Sequence, residues 1–281
     1  IIFLVDTIDI EERGMRGQPL GCAAEALLEH YGTRVPPELV LDQLNAQAAF
    51  QSGPYQVYVP YPFWVRTVRQ SVETDHPVIN SLESMVLPWA SPLQLLDNST
   101  SHYSVDILAR STEYSFTQKG VFNISPSQEL IPTPEQMKPR IMAVALTGKF
   151  KSYFAGKTIP PTVPQPNSTP ATDSDRTIIT ESPETKMIVV GNSRFITGTF
   201  PMEHDGNRTF FLNAVDWFTI GDHLINIRSR EAGERPIMVT SNKTKTAIRV
   251  INIIAIPLLL IVFGLTLYYR RRRRKKRGVV L

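Results

Sequence analysis

Nucleophilic chemistry in this chain has one thiol to draw on. Cys22 lies in GQPLGCAAEALLEH, at the start of an expected helix, where unpaired backbone N–H groups can lower a thiol pKa. A cysteine nucleophile also needs a placed base. His30 belongs to the same helix, and His76, His102, His204 and His223 are scattered along the chain. The plainer role for Cys22 is a small apolar side chain packed under its helix. Asp75-His76 is a second acid–base pairing in the sequence, but Pro77 follows it and makes a shaped turn the expected structure. No two histidines stand at helical i, i+3 or i, i+4 spacing, and a single cysteine excludes a four-cysteine zinc site. Neither GxxxxGK[ST] nor a strand-following GxGxxG occurs. The expectation is therefore a chain without catalytic residues, cofactor or metal.

Two groups of residues suit binding instead. Gly191-Asn192-Ser193-Arg194 follows an expected strand, where open α/β sheets hold ligands, so Asn192, Ser193 and Arg194 form a candidate ligand turn, with a plain turn as the simpler reading. The stretch VYVPYPFWVR (57 to 66), with Trp89 nearby, concentrates side chains that suit interfaces. Tyr58, Tyr61, Phe63, Trp64 and Trp89 are the candidate partner surface, and a core role is expected for at least half of the stretch.

The elements that position these residues read as α/β. Ile1 to Val5, Leu39 to Leu41, Tyr55 to Val59, Ser104 to Arg110, Arg140 to Thr147, Met187 to Val190 and Leu224 to Ile227 have the character of strands. Pro60 and Pro62 are expected to end the third of them. Ala23 to His30 reads as a short helix, and Asn207 as the N-cap of a helix reaching about Phe218. Alternating strands and helices imply a parallel or mixed sheet with flanking helices. Residues 157 to 185, rich in Pro, Ser and Thr, interrupt this body as an exposed loop. The expected organisation is an extracytoplasmic domain over 1–156, the loop over 157–185, the rest of the domain over 186–246, a membrane helix over 247–269 and a basic tail over 270–281.

The last two assignments rest on composition. From Val250 to Tyr269 no side chain is charged; at about 1.5 Å per residue this covers roughly 30 Å, a bilayer's hydrocarbon core. The tail RRRRRKKR (270 to 277) follows at once. It holds eight of the 30 basic residues, leaving 22 against 26 acidic ones, so the net charge of +4 conceals a body at −4. A nucleic-acid-binding body is thus not expected. The basic flank predicts a cytoplasmic C-terminus, an extracytoplasmic body and contact with the cytoplasmic leaflet. Ile1 is not a start methionine, and the chain reads as the C-terminal part of a longer or processed protein.

In order along the chain, DHPVINSL (75 to 82), LPWASPLQL (87 to 95), VALTGKFKSYFAGK (144 to 157), MIVVGNSRFITG (187 to 198) and GNRTFFLNAVDWFTIGDHLINIR (206 to 228), then the apolar run and arginine-rich end, resemble the gliding-motility-type auxiliary component of bacterial ABC transport systems. The resemblance implies an extracytoplasmic α/β body of the glutamine-amidotransferase-like or flavodoxin-like kind. It also implies a single-pass place in the bacterial inner membrane, and an ABC permease with its ATPase as partners. Two other classes stay open on the sequence. Five Asn-x-Ser/Thr sites, at Asn98, Asn123, Asn167, Asn207 and Asn242, would suit a glycosylated type I surface protein; Cys22 would serve a cryptic amidotransferase-like hydrolase.

Overall fold

A computed structural model of the chain describes residues 1–21, 24–72, 75–96, 103–128, 130–157, 179–198, 200, 204–219, 257, 261–268 and 270. It divides into two compact units, Ile1–Pro236 and Ile237–Leu281. In the first, the strands run in chain order as β1 (Ile2–Leu4), β2 (Ile8–Glu11), β3 (Arg16–Pro19), β4 (Thr33–Arg34), β5 (Glu38–Leu41), β6 (Asn45–Ser52), β7 (Tyr55–Val68), β8 (Ser84–Pro88), β9 (Gln94–Leu95), β10 (Tyr103–Arg110), β11 (Phe116–Lys119), β12 (Phe122–Asn123), β13 (Ile141–Lys151) and β14 (Glu181–Val190). Among the described residues two α-helices accompany them, α1 (Glu25–His30) and α2 (Asp205–Thr219).

The strands make five small sheets, ordered β1-β14-β13-β10, β11-β5, β12-β3-β2, β4-β9 and β6-β7-β8. This overturns the expected α/β, flavodoxin-like class: the unit is mostly β, with few helices. Among the described residues only β1 and β14 pair in parallel; β14 with β13 and β13 with β10 are antiparallel. The physical source of the misreading is burial. Met142 to Leu146 and Ile188 to Val190 are wholly buried because both faces of the four-stranded sheet are covered. On one face Ala143, Ala145, Ile188 and Val190 meet Phe210, Ala214 and Trp217 of α2. On the other, Val144, Leu146, Met187 and Val189 meet Leu28 of α1 and Phe150. Continuous apolar runs of this kind report two-sided burial and not strand direction. A third cluster joins Ile8, Ile10, Leu39, Leu41, Tyr61, Phe63 and Phe122 under the other sheets.

Three local expectations change as well. β7 does not stop at Pro60 but runs on to Val68. Its ladder with β6 passes from Gln47↔Pro60 directly to Asn45↔Val65, so Tyr61 to Trp64 lie outside that ladder and proline's missing donor is tolerated there. β14 begins at Glu181, within the expected loop, whose residues 158–178 lie outside the described ones. Asn207 is not an N-cap but lies in the first turn of α2.

Among the described residues the expected membrane helix over 247–269 is not found, and no helix is long and apolar enough to cross a membrane. The described part of that stretch, in the second unit, is helical at Pro257 and Ile261 to Tyr268. The rest of the stretch, residues 271–281 of the tail and the expected strand at Leu224 to Ile227 lie outside the described residues. The single-pass inner-membrane placement is overturned with the span that carried it.

Candidate functional site

The ends of the parallel pair β1 and β14 meet the loop after β8. Gly191 donates its N–H to Met142 O (2.9 Å) and accepts from Ser91 N (2.8 Å). Asn192, wholly buried, donates through Nδ2 to Pro88 O (2.7 Å) and accepts at Oδ1 from Phe195 N (2.8 Å). Ser193 donates its N–H to Asp6 Oδ1 (2.8 Å) and its hydroxyl to Asp6 Oδ2. Beside them the Thr7 and Ser91 hydroxyls share a buried hydrogen bond of 2.7 Å. Arg194 reaches Glu12 (3.6 Å) and Asp9 (3.7 Å) and donates to Ile10 O (3.4 Å). Its guanidinium lies over the Trp89 ring, 5.7 Å from the centroid. The candidate ligand turn is thus a latch that ties β14 to the β1–β2 segment, with each of its three side chains engaged inside the fold.

Trp89 has a left-handed backbone, φ +53°, which is costly for a bulky residue and persists only when its surroundings over-determine it. Here they do. Its N–H donates to Phe63 O (2.7 Å), its indole Nε1–H donates to Tyr61 Oη (3.2 Å) and Arg194 covers its ring. Tyr61 in turn donates to Ile124 O (2.6 Å), and burial pushes its pKa up, so it remains a phenol donor. Trp64 meets Trp89 edge to face at 5.8 Å and Phe200 at 5.0 Å; His204 lies 4.6 Å from the Phe200 ring.

The five aromatic candidates therefore separate by depth. Tyr61 and Phe63 are 1% exposed and belong to the core, Trp64 and Trp89 are half-buried, and Tyr58 is 62% exposed. The strand period of two carries this separation: Tyr61, Phe63 and Val65 point inward while Pro62, Trp64 and Arg66 do not. The exposed apolar side chains lie farther out, at Tyr55, Val57 and Tyr58 on the distal half of the β6–β7 hairpin. Sequence reading did not single out Tyr55 or Val57 as site residues, and alternation does not find them: it would set them on the inward side with Tyr61 and Phe63, whereas Tyr55 to Tyr58 are all exposed.

The residues considered for catalysis are dispersed. Cys22, His102 and His223 lie outside the described residues. His30 Nε2 bonds Lys151 O (3.0 Å). His76 is buried, accepts from Val78 N at Nδ1 (3.3 Å) and meets the Trp217 ring at 4.6 Å. Asp75 is exposed and pairs with Arg69 (3.3 Å). Among the described residues no group of three or more His, Cys, Asp or Glu side chains could hold a metal ion. Of the two glycosylation sites that fall on described residues, Asn123 is exposed and Asn207 is wholly buried.

Asp42 is the one carboxylate among the described residues with a resolved shift. Its oxygens accept from Leu44 N (3.0 Å), Thr112 N (2.6 Å) and Thr112 Oγ1 (2.6 Å), yet desolvation outweighs these bonds and raises its pKa above the ordinary 3.8. The folded state then holds this proton more tightly than the unfolded chain. Its contribution favours folding at low pH and is lost as pH rises through the folded value. Asp42→Asn is expected to flatten the pH dependence of stability just above pH 3.8; urea titrations at several pH values measure it.

The chain belongs to the family described as ABC-type uncharacterized transport system, whose model matches residues 1–214. It is 23% identical over 274 residues to an uncharacterized protein of Borreliella burgdorferi, an alignment that takes in 94% of this chain and 49% of that protein. The chain thus spans about half the length of the curated relative it matches. Among solved structures, the N-terminal domain of mmIFT52 aligns with a TM-score of 0.36 at 12% identity, over 71% of this chain and 59% of that one.

Proposed function

We propose that the chain acts within its ABC transport system by binding and not by catalysis, and that the distal β6–β7 hairpin is its contact with the permease. Membership of the transport family supplies the context. The observation that carries the reading is the exposed cluster Tyr55, Val57 and Tyr58, at 74%, 44% and 62% exposure, on a hairpin that has no charged side chain from Gln43 to Val65. In a chain with 20% charged residues, such a stretch is suited to being covered by protein, since interface centres are depleted of charge and enriched in tyrosine.

The test is co-purification with the permease and ATPase from native membranes. Tyr58→Asp is expected to lose the permease while its thermal melt stays within a few degrees of the wild type, because an unpaired charge buried at an interface costs several kcal/mol on the order of magnitude. Tyr61→Asp is the contrasting case: it places a charge in the core and is expected to unfold. Cys22→Ala is expected to keep both partner and transport. A folded, partner-bound Cys22→Ala chain without transport activity would overturn the reading in favour of thiol chemistry.

A further inference from the structure

Beyond that reading, we infer that β6 is a self-association edge, at which two copies of this chain join their β6-β7-β8 sheets into one six-stranded sheet. The two edges of this sheet are treated differently. At β8 the outward edge is closed: Val86 N–H donates to Asn207 Oδ1 (2.8 Å), and Val86 O accepts from Asn207 Nδ2 (2.7 Å). A side-chain amide thus fills the place of a neighbouring strand. At β6 no described residue does so. β6 is terminal in its sheet, and among the described residues the only strand that pairs with it is β7.

β6 also lacks the features by which edge strands avoid pairing. Natural edges are short, carry lysine or proline, are bulged, or are covered. β6 has eight residues, NAQAAFQS, with neither a charge nor a proline. Its ladder irregularity falls at the base, between Asn45 and Gln47, and the register from Gln47 to Ser52 is unbroken. Gln47, Ala49 and Gln51 are exposed on one face, while Ala46 and Ala48 are buried on the other and Phe50 packs at 5.1 Å on the Tyr61 ring.

The absence of charge selects a second copy as the occupant. Two-fold pairing sets the same strand against itself, antiparallel, residue i opposite j and j opposite i. With the exposed Ala49 at the centre of the pairing, a charge there would meet its own copy across the ladder, which destabilises the pair. β6 offers none, so self-pairing meets no repulsion in any register. The two-fold axis stands perpendicular to the joined sheet, which puts Ala48 and Phe50 of both copies on one face and their glutamines on the other. Glutamine can bond glutamine, so the exposed face is also compatible with itself.

The full chain is expected to sediment as a dimer. Ala49→Lys, at an exposed position, is expected to sediment as a monomer with an unchanged melt. Mixing Ala49→Lys with Ala49→Glu chains is expected to restore the dimer, since opposite charges then face each other. In a Cys22→Ser background, Ala49→Cys is expected to give a disulfide-linked dimer on mild oxidation, while the 84% exposed Val121, changed to cysteine, gives none. A wild-type chain that stays monomeric at its highest soluble concentration overturns the inference. So does a dimer indifferent to Ala49→Lys and not cross-linked through residue 49. Permease co-purification in the same samples reports separately on the hairpin tip: loss of the dimer with the permease retained is a failure of neither reading, and loss of the permease alone bears only on the contact proposed above.

Discussion

Asn207→Leu is expected to remove about 3–6 kcal/mol of stability, enough to unfold most of a typical domain's population. The side chain is wholly buried and makes three hydrogen bonds that no apolar residue can replace. It accepts from Val86 N and donates to Val86 O and to Phe195 O, at 2.8, 2.7 and 3.0 Å. Its removal leaves one donor and two acceptors unpaired in the core, and a buried group left unpaired costs about 1–3 kcal/mol. The loss is local to a junction of three elements, α2, β8 and the turn around Phe195, so it also loosens the covered face of the four-stranded sheet. Urea denaturation measures it: the midpoint should fall with the slope unchanged. A loss below about 1 kcal/mol would show that the three bonds are replaced by rearrangement. The same burial bears on the glycosylated-surface reading, because a folded chain cannot offer Asn207 to a glycan-transferring enzyme.

Much of the strand content was legible in the sequence, because apolar runs such as Leu39 to Leu41 and Met187 to Val190 are short, β-branched or leucine-rich, and bounded by turn residues. Their pairing was not legible. Two-sided burial makes an antiparallel strand such as β13 look like a member of a parallel sheet. Polar residues that serve tertiary structure were also misread as local signals. Asn207 carries the chemistry of an N-cap, yet its amide is spent on the edge of β8, far away in sequence. The proline pair at 60 and 62 reads as a strand end, yet Pro60 is the last partner before the skip in the β6 ladder, opposite Gln47, and Pro62 lies within the skip. The latch at Asn192, Ser193 and Arg194 was found as a turn, but its partners Asp6, Pro88 and Trp89 come from segments that periodicity alone cannot bring together. Trp89 with φ +53° has no sequence signal, since a bulky residue is the last choice for that conformation.

The latch itself is most sensitive at Gly191. A Cβ there would stand 2.1 Å from Ser91 O, a backbone atom, which cannot swing aside as a flexible side chain could. Gly191→Ala must therefore separate the end of β14 from the segment after β8. That separation breaks the Ser91 N–Gly191 O bond at 2.8 Å and pulls on the bonds that flank it, Asn192 to Pro88 O and Thr7 to Ser91. Overpacking of well-packed sites costs about 1–3 kcal/mol; with a backbone carbonyl as the obstacle and a hydrogen bond lost as well, the upper end of that range or more is expected. Gly206→Ala is the parallel case, with its Cβ 1.9 Å from Ser84 O, at the start of the helix that carries Asn207. Gly21→Ala is the control, since a Cβ there meets nothing within 4 Å, and its melt should match the wild type. Fluorescence can separate the latch from general destabilisation. If Gly191→Ala displaces the segment that carries Trp89, tryptophan emission shifts to longer wavelength below the unfolding transition, whereas Gly206→Ala, acting at β8 and α2, lowers the midpoint with less change in native emission. A Gly191→Ala chain that melts with the wild type and keeps its emission would show that the β14 end and the Pro88–Ser91 segment are not held in contact, and the latch would then be the wrong description of residues 191 to 195.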